Sequence, residues 1–130
     1  MKHLKSPNFN ERPERANIDI LVMHYTGMKT ADAALKRMCD PEAQVSAHYM
    51  VYENGDAVCL VDEEKRAWHA GISCWRGISS LNDISIGIEI VNPGHEFGYE
   101  PFPEEQMETV KGLSKDIMDR HGIEARNVRN

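Results

Sequence analysis

Ile18-Asp19-Ile20-Leu21-Val22-Met23-His24-Tyr25-Thr26-Gly27 reads as a strand that delivers a histidine into a Thr-Gly turn. Such a turn lies at the C-terminal end of a sheet strand, where α/β folds place ligands and chemistry. A second run, Ser85-Ile86-Gly87-Ile88-Glu89-Ile90-Val91-Asn92, carries one carboxylate inside an apolar stretch. Side chains alternate along a strand, so Ile86, Ile88 and Ile90 share one face and Gly87, Glu89 and Val91 the other. A histidine and a buried glutamate on two such strands suggest a metal ion and a general base.

Outward from these runs, the rest of an α/β domain follows. Residues 5–17 are polar and carry Pro7 and Pro13, which predicts an extended lead-in (residues 1–17) to a domain over 18–130. Thr30 is a plausible N-cap for a short helix over 31–39, stopped by Asp40-Pro41. Val45–Val61 predicts a hairpin around Glu53-Asn54-Gly55-Asp56, since Asn-Gly suits a tight β-turn. Asp62–Arg66 reads as a charged turn. Ala67-Trp68-His69-Ala70-Gly71 and Cys74-Trp75-Arg76-Gly77 then make an aromatic, glycine-punctuated loop. Pro103-Glu104-Glu105 opens a helix with acidic residues at its positive end. Val110, Leu113, Ile117 and Met118 supply its buried face, and His121-Gly122 closes it.

Composition narrows the partners. The chain has 130 residues, 41% hydrophobic and 28% charged, with a net charge of −6. That length suits a single core. Acidic charge without a basic stripe excludes nucleic acid and disfavours anionic membranes. No apolar stretch approaches the ~20 residues of a membrane span, so no membrane insertion is expected. The N-terminus has positive charge but no apolar run after it, hence no signal peptide is read. Cys39, Cys59 and Cys74 form no C-x-x-C pair and point to reduced thiols and a cytoplasmic location. A mature exported protein would look similar.

Each chemical candidate has a plain alternative. His24 is either a hydrogen-bonded strand-end histidine or a ligand. Glu89 is either solvated, paired with Arg66 or Arg76, or a general base whose pKa burial raises. His48 fits a structural polar contact, and Trp68 fits either core or the wall of a pocket that stacks on a sugar or peptide. His3, His95 and His121 need no function.

His24-Tyr25-Thr26-Gly27, Val45-Ser46-Ala47-His48-Tyr49, Ala67-Trp68-His69-Ala70-Gly71 and Leu81-Asn82-Asp83-Ile84-Ser85-Ile86-Gly87-Ile88-Glu89 occur in this order and at this spacing. In these four motifs the chain resembles the zinc-dependent N-acetylmuramoyl-L-alanine amidases, which share a fold with peptidoglycan-recognition proteins. The resemblance implies a mixed central β-sheet flanked by helices, and hydrolysis of the lactyl–L-alanine amide of peptidoglycan fragments (muropeptides) in cell-wall recycling. It implies His24 as a Zn2+ ligand, Glu89 as the catalytic glutamate, and Trp68 and His69 beside the substrate groove. The family's further ligands, a His and an Asp, and its catalytic Lys lie in a segment of the type G-H-x-D-I-A-P-x-R-K-x-D-P-G. That segment would follow Asn127-Val128-Arg129-Asn130. The 130 residues are therefore expected to be catalytically incomplete, with an open sheet edge that a homodimer or another segment would cover. A zinc-free muropeptide-binding module is the alternative.

Overall fold

The structure, a computed structural model, describes residues 1–70, 80–93 and 101–130. The expectations for Gly71, Cys74, Trp75, Arg76, Gly77 and His95 lie outside the described residues. Among the described residues eight strands and two α-helices follow one another: β1 (Lys2–His3), β2 (Phe9–Glu11), β3 (Ile20–Tyr25), α1 (Ala31–Met38), β4 (Tyr49–Val51), β5 (Ala57–Cys59), β6 (Lys65–Ala67), β7 (Ser85–Ile90), α2 (Glu104–His121) and β8 (Val128–Arg129).

Six strands form one mixed sheet in the order β1-β5-β4-β7-β3-β8. β7 is central, parallel to both β4 and β3, while β5 runs antiparallel to β4. Helices cover both faces. On one face Leu21, Ile86, Ile88 and Ile90 pack against Val110, Leu113 and Ile117 of α2. On the other, Met50, Val58 and Val91 share a cluster with Ala34 and Met38 of α1. A strand covered on both faces reads as a nearly continuous apolar run, which is the pattern of β7. Glu89 is the exception in that run, and it lies on the α1 side.

The local signals explain the element ends. Thr30 caps α1, its Oγ1 accepting from the Ala33 N–H at 3.1 Å. Gly122 closes α2 with φ 65°, a left-handed turn that a side chain would resist. The hairpin turn falls at 52–56 as the Asn-Gly pair predicts, with the strands paired over Tyr49–Val51 and Ala57–Cys59.

Two expectations are corrected. The charged turn ends at Glu64, because Lys65–Ala67 form β6 and pair antiparallel with β2. Its partner comes from the first 17 residues, and so remote a pairing leaves no local trace. The edge beside β3 is not bare either: Val128 and Arg129 pair with Leu21 and Val22 as β8. Residues 1–17 contribute β1 and β2 to the two sheets. They also carry Arg12, whose guanidinium donates to the carbonyls of Asn82, Asp83, Glu63 and Ser85 at 2.9–3.1 Å.

Candidate active site

The register of two parallel strands builds the site. His24 on β3 stands directly opposite Glu89 on β7. Side chains of register partners in a parallel pair project from the same face, on strands about 4.8 Å apart. His24 and Glu89 therefore sit side by side on the α1 face, at the C-terminal ends of both strands. The turn beyond β3 is fastened to the end of β7. Thr26 Oγ1 donates to the Asn92 carbonyl at 3.0 Å, and the Gly27 N–H reaches the same oxygen at 2.9 Å.

His69 lies against the His24 ring and fixes it. The ring rests on Gly87, one step before Glu89 on the same face: a Cβ built there would stand 2.5 Å from His69 Cγ. Glycine is required for this close approach. His69 Nε2 meets Ser85 Oγ at 2.9 Å, and His69 Nδ1 meets His24 Nε2 at 3.0 Å. The direction of these bonds follows from the hydroxyl. Ser85 has one proton and gives it to the Leu81 carbonyl at 2.5 Å. Its oxygen must accept from His69 Nε2–H, so His69 Nδ1 carries a lone pair and accepts from His24 Nε2–H. That leaves His24 Nδ1 with its lone pair uncommitted. Burial lowers the pKa of both rings, His69 far more, and keeps them neutral.

Glu89 has the opposite problem. Its Oε2 is buried and has no hydrogen-bond partner among the described residues. Burial pushes its carboxyl up to about 8. Arg66 does not relieve it, since its Nε lies 2.6 Å from Asp83 Oδ1. A carboxyl with a pKa near neutrality can accept and return a proton at physiological pH, as a general acid–base must.

Two hollows meet beside these groups and share Val45. One, of about 250 Å3, is lined by Glu89, Thr26 and Arg37. The other, of about 450 Å3, is lined by Trp68, His69, Arg66 and Asn10. Trp68 is half-buried, its Nε1 donating to Asn10 Oδ1 at 3.0 Å. The backbone N–H groups of His69 and Ala70 both donate to Asn82 Oδ1, which pins the segment. His48 does fill a structural contact: its Nδ1 accepts from the Gly87 N–H, and its Nε2 lies 2.9 Å from the Lys65 carbonyl.

Sequence reasoning missed Ser85, Gly87, Asn82 and Arg12. Only Gly87 left a signal, as a glycine within an apolar strand. As for a metal, His24 Nδ1 and the orphaned Glu89 Oε2 suit a ligand and a neighbouring base. Among the described residues no three metal-ligating side chains converge on His24. The donor set fits zinc in part only, through His24.

Residues 14–129 match the N-acetylmuramoyl-L-alanine amidase family model. The chain is 41% identical over 123 residues to the N-acetylmuramoyl-L-alanine amidase AmiD of Escherichia coli, covering 85% of this chain and 44% of AmiD. It is 30% identical over 134 residues to the 1,6-anhydro-N-acetylmuramyl-L-alanine amidase AmpD of Haemophilus influenzae, covering 90% and 71%. Among solved structures, a selenomethionine AmpD superposes with a TM-score of 0.84 at 28% identity, over 98% of this chain and 79% of that one. E. coli AmiD in complex with anhydro-N-acetylmuramic acid-L-Ala-D-γ-Glu-L-Lys superposes with a TM-score of 0.77 at 35% identity, over 93% and 55%. The chain thus spans less than half the length of AmiD and about seven-tenths of AmpD.

Proposed function

The chain belongs to the N-acetylmuramoyl-L-alanine amidase family, and from that premise we propose that it acts on peptidoglycan fragments, cleaving the amide between the lactyl group of N-acetylmuramic acid and L-alanine. The observation that carries this reading is the in-register pair His24 and Glu89 on one face of the sheet, with Glu89 lining an open groove. AmiD, solved with an anhydromuramyl peptide, supports the substrate class.

Family members are generally zinc-dependent. His24 Nδ1 would hold the metal, which when bound acts as a Lewis acid and lowers the pKa of a coordinated water. The remaining chemistry belongs to the protein. Glu89 takes a proton onto its unpartnered Oε2 and returns it to the leaving amine. The desolvated setting that raises its pKa makes both transfers accessible near neutral pH. Ser85 and His69 hold the His24 ring in the tautomer that presents Nδ1. Trp68 offers an apolar face for the sugar or peptide. Cytoplasmic muropeptide recycling is the setting we infer, from thiols with no C-x-x-C pairing.

A muropeptide-binding module without hydrolysis is the second reading. It is favoured by the absence, among the described residues, of three metal-ligating side chains converging on His24. Incubation with an anhydromuramyl tripeptide and zinc, followed by chromatography, separates the two. Release of free peptide that Glu89→Gln abolishes supports hydrolysis. Calorimetric binding without release supports the module, and neither binding nor release overturns both.

A further inference from the structure

We propose that His3, Cys59 and Asp62 form a second divalent-metal site of the zinc class, on the opposite side of the sheet from His24. The three side chains offer one nitrogen, one sulfur and one oxygen, and these atoms all lie within 4.8 Å of one another. Nothing in the amidase reading uses them, and the site does not rest on that reading.

Backbone pairing brings two of the three together. His3 and Cys59 are register partners in the parallel pair β1–β5. The pairing continues past the strand, with the Leu4 N–H donating to the Cys59 carbonyl and the Ser6 N–H to the Leu60 carbonyl, each at 2.9 Å. His3 is therefore held at the sheet edge although it lies near the chain end. Asp62 arrives from the turn that follows β5. Cys59 packs in the cluster on the α2 side, whereas His24 and Glu89 project toward α1, so the two sites do not share ligands.

The chemistry of the donors selects the ion. A thiolate with an imidazole suits zinc or cobalt rather than calcium or magnesium, which take oxygen ligands. Bonds of about 2.0–2.3 Å need the donors to close in slightly. His3 and Asp62 are exposed and free to rotate, while Cys59 is buried and fixed. The Cys59 thiol makes a weak contact to the Val61 carbonyl at 3.4 Å. A hollow of about 180 Å3 is lined by all three residues and gives the ion a way in. Lys5 and Lys65 also line it, and Lys65 is neutralised by Glu11 at 2.5 Å. Glu64 and Asp116 border the adjoining basin and add negative potential, while Glu63 there is paired with Arg120. Binding moves the Cys59 thiol proton to solvent and leaves a thiolate on the metal, with water in the fourth position and no change of oxidation state.

The test is a cobalt(II) titration of the metal-free protein, followed by zinc competition. The site predicts a near-ultraviolet thiolate-to-cobalt charge-transfer band that zinc removes. Cys59→Ser abolishes the band. His3→Ala and Asp62→Asn, both at exposed positions that leave the fold intact, weaken binding by roughly tenfold or more. His24→Ala leaves the band unchanged. Absence of the band overturns the proposal. So does a band that survives Cys59→Ser, one indifferent to both exposed substitutions, or one lost with His24.

Discussion

His24 Nε2 lies 3.0 Å from His69 Nδ1, and that contact decides which nitrogen of His24 remains available. The direction is imposed from Ser85, whose single proton is committed to the Leu81 carbonyl. Both imidazoles are then Nε2–H tautomers, and both are neutral because burial lowers their pKa values. Nitrogen-15 spectra of the metal-free protein near pH 7 check this directly. The two-bond couplings should place the proton on Nε2 in both rings. A proton on His24 Nδ1 would mean that the relay runs the other way and that Nδ1 cannot be the ligand.

Gly87→Ala should destabilise the fold by about 1–3 kcal/mol, the usual range for overpacking a filled site. The added methyl would stand 2.5–2.7 Å from three atoms of the His69 ring. The cost should shrink when His69 is also replaced by Ala, since the clash is with that ring. Urea unfolding of the two single variants and the double variant measures the coupling. Additive effects would place the cost of the methyl elsewhere.

Much of this arrangement was legible in the sequence, for identifiable reasons. Helix caps and the Asn-Gly turn act through neighbours a few residues away, so Thr30, Gly122 and Asn54-Gly55 marked their elements. The alternation of β7 by itself puts Glu89 on the face opposite Ile88. What stayed hidden depends on partners far along the chain. β6 exists because β2 lies beside it. Arg12 sits in a stretch that reads as polar lead-in, yet it satisfies carbonyls of residues 63–85. The role of Ser85 depends on a ring sixteen positions earlier.

Acid should weaken the junction between α2 and the β5–β6 turn. Glu63 accepts from Arg120 and Tyr49, and its Oε1 lies 2.6 Å from His121 Nε2. Burial alone would raise its carboxyl, but these bonds bring it down to about 2 from an ordinary 4.5. A folded-state pKa below the unfolded value means that the stabilisation is full above about pH 4.5 and is lost as pH falls toward 2. Glu63→Gln should flatten the acid limb of a stability profile between those values. An unchanged slope would show that Glu63 does not carry it.

Glu89→Gln should shift stability in the opposite sense. The Glu89 carboxyl is raised by burial from 4.5 to about 8, so the folded state holds a proton that the unfolded chain has released. Native stability therefore falls as pH rises from about 4.5 to 8 and levels off above. Glutamine keeps the shape and removes the titration. The variant should match the parent most closely below pH 4.5 and gain on it through neutrality. At pH 8 the gain should reach on the order of a few kcal/mol. Denaturant unfolding of the metal-free protein at several pH values measures it. A pH-independent difference would mean that Glu89 is solvated rather than buried, and would remove the ground for treating it as the proton-transfer group.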